Sequence, residues 1–162
     1  MGSGKSTTGK LLAEKLKKDF IDLDIHIEET TGKTIKEIFD TEGEESFRFI
    51  EHEFLKKLMS KNNVVISLGG GTPCFYNTME LINQNGTSVY IEMGVDTLVK
   101  RLSKVQNKRP LIRGINEVDL KYFINTNIED RLPFYGKADY IIQAEKKTAD
   151  ELAEIIEKLL KK

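Results

Sequence analysis

Apolar positions recur along the chain with two different periods. Between Ser6 and Lys17, Leu11, Leu12 and Leu16 fall at helical spacing. "TIKEIF" (34–39) and "EESFRFIEHEFLKKLM" (44–59) repeat that period, with Phe47, Ile50, Phe54 and Leu58 on one stripe. "VDTLVKRLSKV" (95–105), "LKYFINTNIEDRLPFY" (120–135) and "TADELAEIIEKLLKK" (148–162) predict three further helices. Short apolar runs lie between them: "FIDLD" (20–24), "NVVISL" (63–68), "TSVYIEM" (87–93) and "ADYIIQA" (138–144). These predict strands. The unbroken β-branched run of "NVVISL" is the pattern of a parallel strand covered on both faces. "QNKRPLIRGINEVD" (106–119) is polar, basic and interrupted by Pro110, so it predicts a loop. Strands alternating with helices predict an α/β fold, a parallel sheet flanked by helices. No repeat, low-complexity tract or linker breaks the chain, so residues 1–162 are expected to form one domain.

Composition changes that picture little: 39% hydrophobic and 31% charged residues suit a soluble domain. Lysine and arginine number 25 and acidic residues 26, a net charge of −1. No global field draws the chain to nucleic acid, and the basic residues from Lys100 to Arg113 lack interleaved aromatics. A single cysteine, Cys74, excludes an intrachain disulfide and fits a reducing, cytoplasmic setting. Neither a membrane-length apolar run nor a signal peptide is present, so no membrane partner is expected. A monomer is expected.

Four features carry chemistry. "GSGKST" opens the first helix directly. Glycines let backbone N–H groups turn around phosphate oxygens, and the helix N-terminus adds its positive end. Lys5 is placed to reach the β- and γ-phosphates, and the Ser6 hydroxyl to bind Mg²⁺. Asp22 and Asp24 follow at a predicted strand end, where positions i and i+2 share a face. One can hold Mg²⁺ through water and the other accept a hydroxyl proton. Taken alone, both are equally the residue type that caps helices. Gly69, Gly70 and Gly71 end the "VVISL" strand with a backbone open to close approach. Arg48, Arg109 and Arg131 have the fork suited to carboxylate or phosphate. His26, His52 and Cys74 lack partners at ligand or catalytic spacing and are expected to be structural.

The chain resembles shikimate kinase, a phosphate-loop family of the nucleoside-monophosphate-kinase type. "MGSGKSTTGKLLA", "FIDLDIHIEETTGKTIKEIFDTEGEESFRFIE", "SLGGGTP", "KRPLI" and "RLPFYGKAD" carry the resemblance, in that order. It implies phosphorylation of the 3-hydroxyl of shikimate by ATP, with Mg²⁺. Gly2, Ser3, Gly4, Lys5, Ser6 and Thr7 are then the ATP-phosphate residues, with Ser6 and, through water, Asp22 at the metal. The resemblance makes Asp24 the substrate-hydroxyl ligand and base, in a substrate segment of about 22–60. Arg48 and Arg131 become the carboxylate ligands, Glu51 the orienter of Arg48, and Gly69, Gly70 and Gly71 backbone contacts to substrate. Arg109 becomes a catalytic arginine on a lid of about 104–117. A kinase of another small hydroxy-acid, such as gluconate, and a non-catalytic nucleotide-binding module share parts of this pattern.

Two departures stand out. The arginine that often stacks on adenine in this family falls at or near Leu102 here, flanked by Arg101 and Lys104. The first glycine of G-x-x-x-x-G-K-[ST] falls upstream of Met1, together with the strand that feeds the loop. By resemblance that strand is the central one, in sheet order 2-3-1-4-5. "NVVISL" and "SVYIEM" are therefore expected to border a gap, and the chain numbered from Met1 to be marginally stable or inactive.

Overall fold

The computed structural model describes residues 2–105, 112 and 114–161. Helix α1 (Lys5–Leu16) leads into strand β1 (Asp19–Asp22), then α2 (Leu23–Thr31) and α3 (Ile35–Leu58). Strand β2 (Val64–Ser67) runs through a 3₁₀ turn (Thr72–Cys74) to α4 (Thr78–Asn85) and β3 (Val89–Glu92). Then follow α5 (Val95–Ser103), α6 (Glu117–Tyr135), β4 (Tyr140–Gln143) and α7 (Ala149–Leu160). Every helix predicted from apolar spacing is present.

Local chemistry sets several boundaries. Thr34 and Glu37 form a reciprocal capping box at the start of α3, and Thr148 and Glu151 do the same for α7. Gly43, at φ 84° and ψ 170°, kinks α3 and separates the two helical segments expected there. The strand expected over 20–24 overruns by two residues, since β1 ends at Asp22. Asp22 accepts a hydrogen bond from the Asp24 N–H at 3.2 Å and caps α2, so Leu23 and Asp24 belong to a helix. Strand alternation therefore does not bring the two aspartates together, as the sequence reading supposed.

The sheet is split. β1 pairs in parallel with β2, from Asp19 opposite Val64 to Asp22 opposite Ser67. β3 pairs in parallel with β4, from Val89 opposite Tyr140 to Glu92 opposite Gln143. Among the described residues no strand joins the two pairs. Each pair has its own core. Leu23, Ile27, Ile38, Phe47, Leu55 and Leu58 pack with β1 and β2, while Leu98, Leu102, Leu120, Ile124, Leu152 and Ile156 pack with β3 and β4. β2 was expected to be covered on both faces, yet Val64, Val65 and Ile66 are only half-buried, as are Val89, Tyr90 and Ile91. A cavity of about 770 Å³ lies between β2 and β3, where the gap was expected.

Candidate active site

Three elements meet at the carboxyl ends of β1 and β2. The first is the loop before α1, where Gly2 (φ 78°) and Gly4 (φ 90°) take left-handed conformations that favour glycine. Gly4 caps α1, and its carbonyl accepts from the Thr8 N–H at 3.0 Å. Arg101 on α5 donates to the carbonyls of Gly2 (3.3 Å) and Ser3 (3.4 Å), bracing the loop from outside. The first turn of α1 carries no acidic side chain of its own, which suits an anion at this helix end.

Behind the loop, the Ser6 hydroxyl donates to Asp22 Oδ2 at 2.6 Å. Lys5 Nζ lies 3.3 Å from Ser6 Oγ and 3.4 Å from Ser67 Oγ. Ser67 is buried at the end of β2. Asp22 thus both caps α2 and joins the Ser6 group, so the two readings of this residue are not exclusive. Ser6 and Asp22 offer hard oxygen donors at one place, the set that suits Mg²⁺ bound also by phosphates and water.

The second element is the Gly69–Gly71 turn, against which several side chains press. A methyl group built on Gly69 lies 2.9 Å from Glu51 Oε1 and 3.0 Å from Asp24 Oδ1. One on Gly70 lies 2.8 Å from Arg131 Nη1 and 3.2 Å from the Tyr135 hydroxyl. One on Gly71 lies 2.7 Å from Arg48 Nη1. Three consecutive residues, their Cα atoms ~3.8 Å apart, therefore bring Asp24, Arg131 and Arg48 around one turn. The glycines make room for these groups through their missing side chains.

The third element supports those groups. Arg48 lies among the rings of Phe75 (4.7 Å to the centroid), Phe47 (5.2 Å) and Phe39 (5.8 Å). It donates to Glu51 at 3.1 Å and to Glu44 at 3.0 Å. Buried Glu51 also accepts from the Thr72 hydroxyl, which ties α3 to the 3₁₀ turn after the glycines. Burial pushes the Glu51 carboxyl above its ordinary range, against the opposing pull of Thr72 and Arg48. Asp24 is likewise raised, first by burial; Asp22 and Glu28 add to this while Lys5 and Arg48 oppose it. Arg131 on α6 stands beside Tyr135, whose hydroxyl donates to the Gly70 carbonyl at 2.6 Å.

A family model of shikimate kinase matches residues 1–162. The chain belongs to the shikimate kinase family. The shikimate kinase of Azobacteroides pseudotrichonymphae is 44% identical over 155 residues, covering 95% of this chain and 91% of the relative. That of Parabacteroides distasonis is 42% identical over 162 residues, covering 99% and 94%. The structure of shikimate kinase from Bacteroides thetaiotaomicron aligns at a TM-score of 0.94 with 40% identity, over 100% of this chain and 94% of that one. The Acinetobacter baumannii shikimate kinase, solved in complex with shikimate, aligns at 0.89 with 35% identity, over 99% and 88%.

Within this shikimate kinase fold, Gly2–Thr7, Asp22, Asp24, Arg48, Glu51, Gly69–Gly71 and Arg131 all lie around the three elements just described. Arg109 lies outside the described residues, as do 106–108, 110, 111 and 113 of the segment proposed as a lid; Ile112, from the same segment, is buried in the core. Ser67 and Tyr135 were missed in the sequence. The one clue to Ser67 was a hydroxyl closing an otherwise apolar strand. His52 accepts or donates at Thr78 Oγ1 (2.9 Å) and His26 packs edge-on to Phe54, both structural as expected. Cys74 is half-buried, its thiol pushed up by burial.

Replacing Gly71 with alanine tests the close packing at the turn. The nearest atoms belong to the end of the Arg48 side chain, which can move, so the fold should survive. Arg48 itself must be displaced. The expected result is a melting temperature lowered no further than Arg48→Ala lowers it and a carboxylate-substrate KM raised about tenfold, the loss of roughly one charge-assisted hydrogen bond. Steady-state kinetics beside a melting curve checks this.

Proposed function

We propose that this chain transfers the γ-phosphoryl group of ATP to the 3-hydroxyl of shikimate. The observation that carries this reading is the glycine turn, which gathers the Asp24 carboxylate and two guanidinium groups beside a phosphate loop, with the second carboxylate, Glu51, paired to Arg48. Two guanidinium groups suit a ring carboxylate, and a carboxylate between them and the loop suits a hydroxyl. Arg48 and Arg131 hold the acid group of the substrate, which turns its hydroxyl edge toward Asp24. Asp24 accepts the hydrogen bond of the attacking hydroxyl and takes its proton as the new P–O bond forms and ADP leaves. Lys5 and the loop N–H groups stabilise the negative charge on the transferring phosphoryl oxygens. Ser6 and Asp22 are the residues that would hold Mg²⁺, which supplies further positive charge to the phosphates when bound. The relative in complex with shikimate supports the choice of substrate.

The assay is ADP release with ATP·Mg²⁺ and either shikimate or gluconate. Release is expected with shikimate and not with gluconate; the reverse would move the chain to another hydroxy-acid kinase.

The proton acceptor makes a further expectation about pH. Asp24 must be ionised to accept, and its folded-state pKa lies above the ordinary carboxylate value of about 3.9. Activity is therefore full above the raised pKa and is lost as pH falls through it, at a higher pH than an exposed aspartate would give. The stability sign is opposite. An acid with a raised folded pKa favours the protonated folded state, so burial of Asp24 costs stability above that pKa and the cost fades below it. A kcat/KM profile from pH 4 to 8 should show an acid limb that Asp24→Asn removes along with most activity. An unchanged limb in that variant would assign it to another group.

A further inference from the structure

The two arginines at the glycine turn are held in different ways. Arg48 pairs with two carboxylates, Glu44 at 3.0 Å and Glu51 at 3.1 Å, whereas Arg131 makes no ion pair among the described residues. Its neighbour is Tyr135. The two sit four residues apart on α6 and so share a face of that helix. Both reach Gly70: a methyl group built there would lie 2.8 Å from Arg131 Nη1 and 3.2 Å from the Tyr135 hydroxyl. Tyr135 is fixed at both ends. Its ring packs on Tyr90 of β3, with centroids 4.6 Å apart, and its hydroxyl donates to the Gly70 carbonyl at 2.6 Å. Burial raises the phenol above its ordinary range, while the Arg131 guanidinium opposes this by its charge and by a hydrogen bond to the phenol oxygen.

We infer that Tyr135 is the positioning residue for Arg131, given the proposed role of Arg131 as a ligand of the shikimate carboxylate. The proton count sets the direction of each bond. A phenol has one O–H to donate and lone pairs to accept. Its proton is committed to the Gly70 carbonyl, so toward Arg131 it can only accept. A guanidinium has several N–H donors; one suffices here, and the rest of the fork stays open to the substrate. Because a neutral phenol takes this place, Arg131 keeps its whole charge for the substrate carboxylate. A carboxylate in the same position would offset that charge. An arginine left loose loses rotamer freedom when it binds, whereas one already held against the turn loses less and binds more tightly.

The test is Tyr135→Phe, which keeps the ring and its contact with Tyr90 and removes only the hydroxyl. Calorimetric titration should show shikimate bound about threefold to tenfold more weakly, the range for one hydrogen bond, with an ATP analogue bound as in the parent. Shikimate KM should rise by the same factor, with kcat within about twofold of the parent. Arg131→Ala and the double variant complete a cycle. With Arg131 gone, Tyr135→Phe should change shikimate affinity by less than about twofold. A merely structural role, in which the hydroxyl only holds the glycine turn for Asp24 and Arg48, would lower affinity by the same factor in both backgrounds. The free protein gives a second readout. In the cold, NMR of the parent should show separate Nη signals for Arg131, the mark of a guanidinium held against rotation, and these should merge in Tyr135→Phe.

Equal shikimate affinity in Tyr135→Phe and the parent overturns the inference. So does an equal loss with and without Arg131, and so do Arg131 signals already merged in the parent. A parent that binds no shikimate would instead fail the proposed function. In that case, or if Tyr135→Phe does not fold, the parent's Arg131 signals decide the positioning role alone: separate signals support it and merged ones overturn it.

Discussion

Lys5→Met should lower kcat by about a hundredfold to a thousandfold, the usual cost of removing a group that stabilises charge developing in the transition state. Lys5 touches only the hydroxyls of Ser6 and Ser67, at 3.3 and 3.4 Å, and pairs with no carboxylate among the described residues. Its ammonium is thus held at the mouth of the loop and uncommitted to a structural ion pair. Methionine keeps the length and apolar stem, so the fold and melting temperature should stay close to those of the parent. Shikimate affinity, proposed to rest on Arg48 and Arg131 around the glycine turn, should change little. A loss confined to kcat identifies a charge acting on the transferring phosphoryl group. Unchanged turnover would remove Lys5, and with it the phosphate loop, from the mechanism.

Arg48→Ala and Arg131→Ala should each weaken shikimate about tenfold to a hundredfold, with ATP affinity almost untouched. That range corresponds to about 1.5–3 kcal/mol for a hydrogen bond to a charged group. The two differ in what else they disturb. Arg48 is the partner of buried Glu51 and stacks among three phenylalanine rings, so its loss also leaves a carboxylate unpaired. A lower melting temperature is expected for Arg48→Ala and not for Arg131→Ala. Lysine at either position should rescue poorly because it lacks the planar fork. Calorimetric titration of shikimate and of an ATP analogue into each variant separates the effects. Weaker nucleotide binding with intact shikimate binding would reverse the two subsites.

Much of this arrangement was legible in the sequence because it rests on residue types with narrow uses. The loop before α1 announces itself through Gly4, Lys5 and Ser6, and the glycine turn through three glycines at the end of an apolar strand. Other features escaped because they depend on contacts between distant segments. Asp24 reaches the site because Asp22 starts a helix there, and a capping aspartate looks the same in sequence as one ending a strand. Tyr135 sits 65 residues from the Gly70 carbonyl it holds. Thr72 is equally ordinary until the fold buries it against Glu51. The glycines were expected to offer their backbone to a ligand. Their proximity to Asp24, Arg131 and Arg48 gives a second reason for the missing side chains, one that needs the coordinates of all three partners. The split sheet was foreseeable from the family resemblance, while the half-burial of its facing edges was not.

The central claim is that this site phosphorylates shikimate at its 3-hydroxyl. The most direct measurement is phosphorus and proton NMR of the product after incubation of the chain with ATP·Mg²⁺ and shikimate. The account predicts a single new phosphomonoester signal coupled to the ring proton at carbon 3, absent with Lys5→Met. Phosphate on another hydroxyl, or no phosphomonoester, would contradict it.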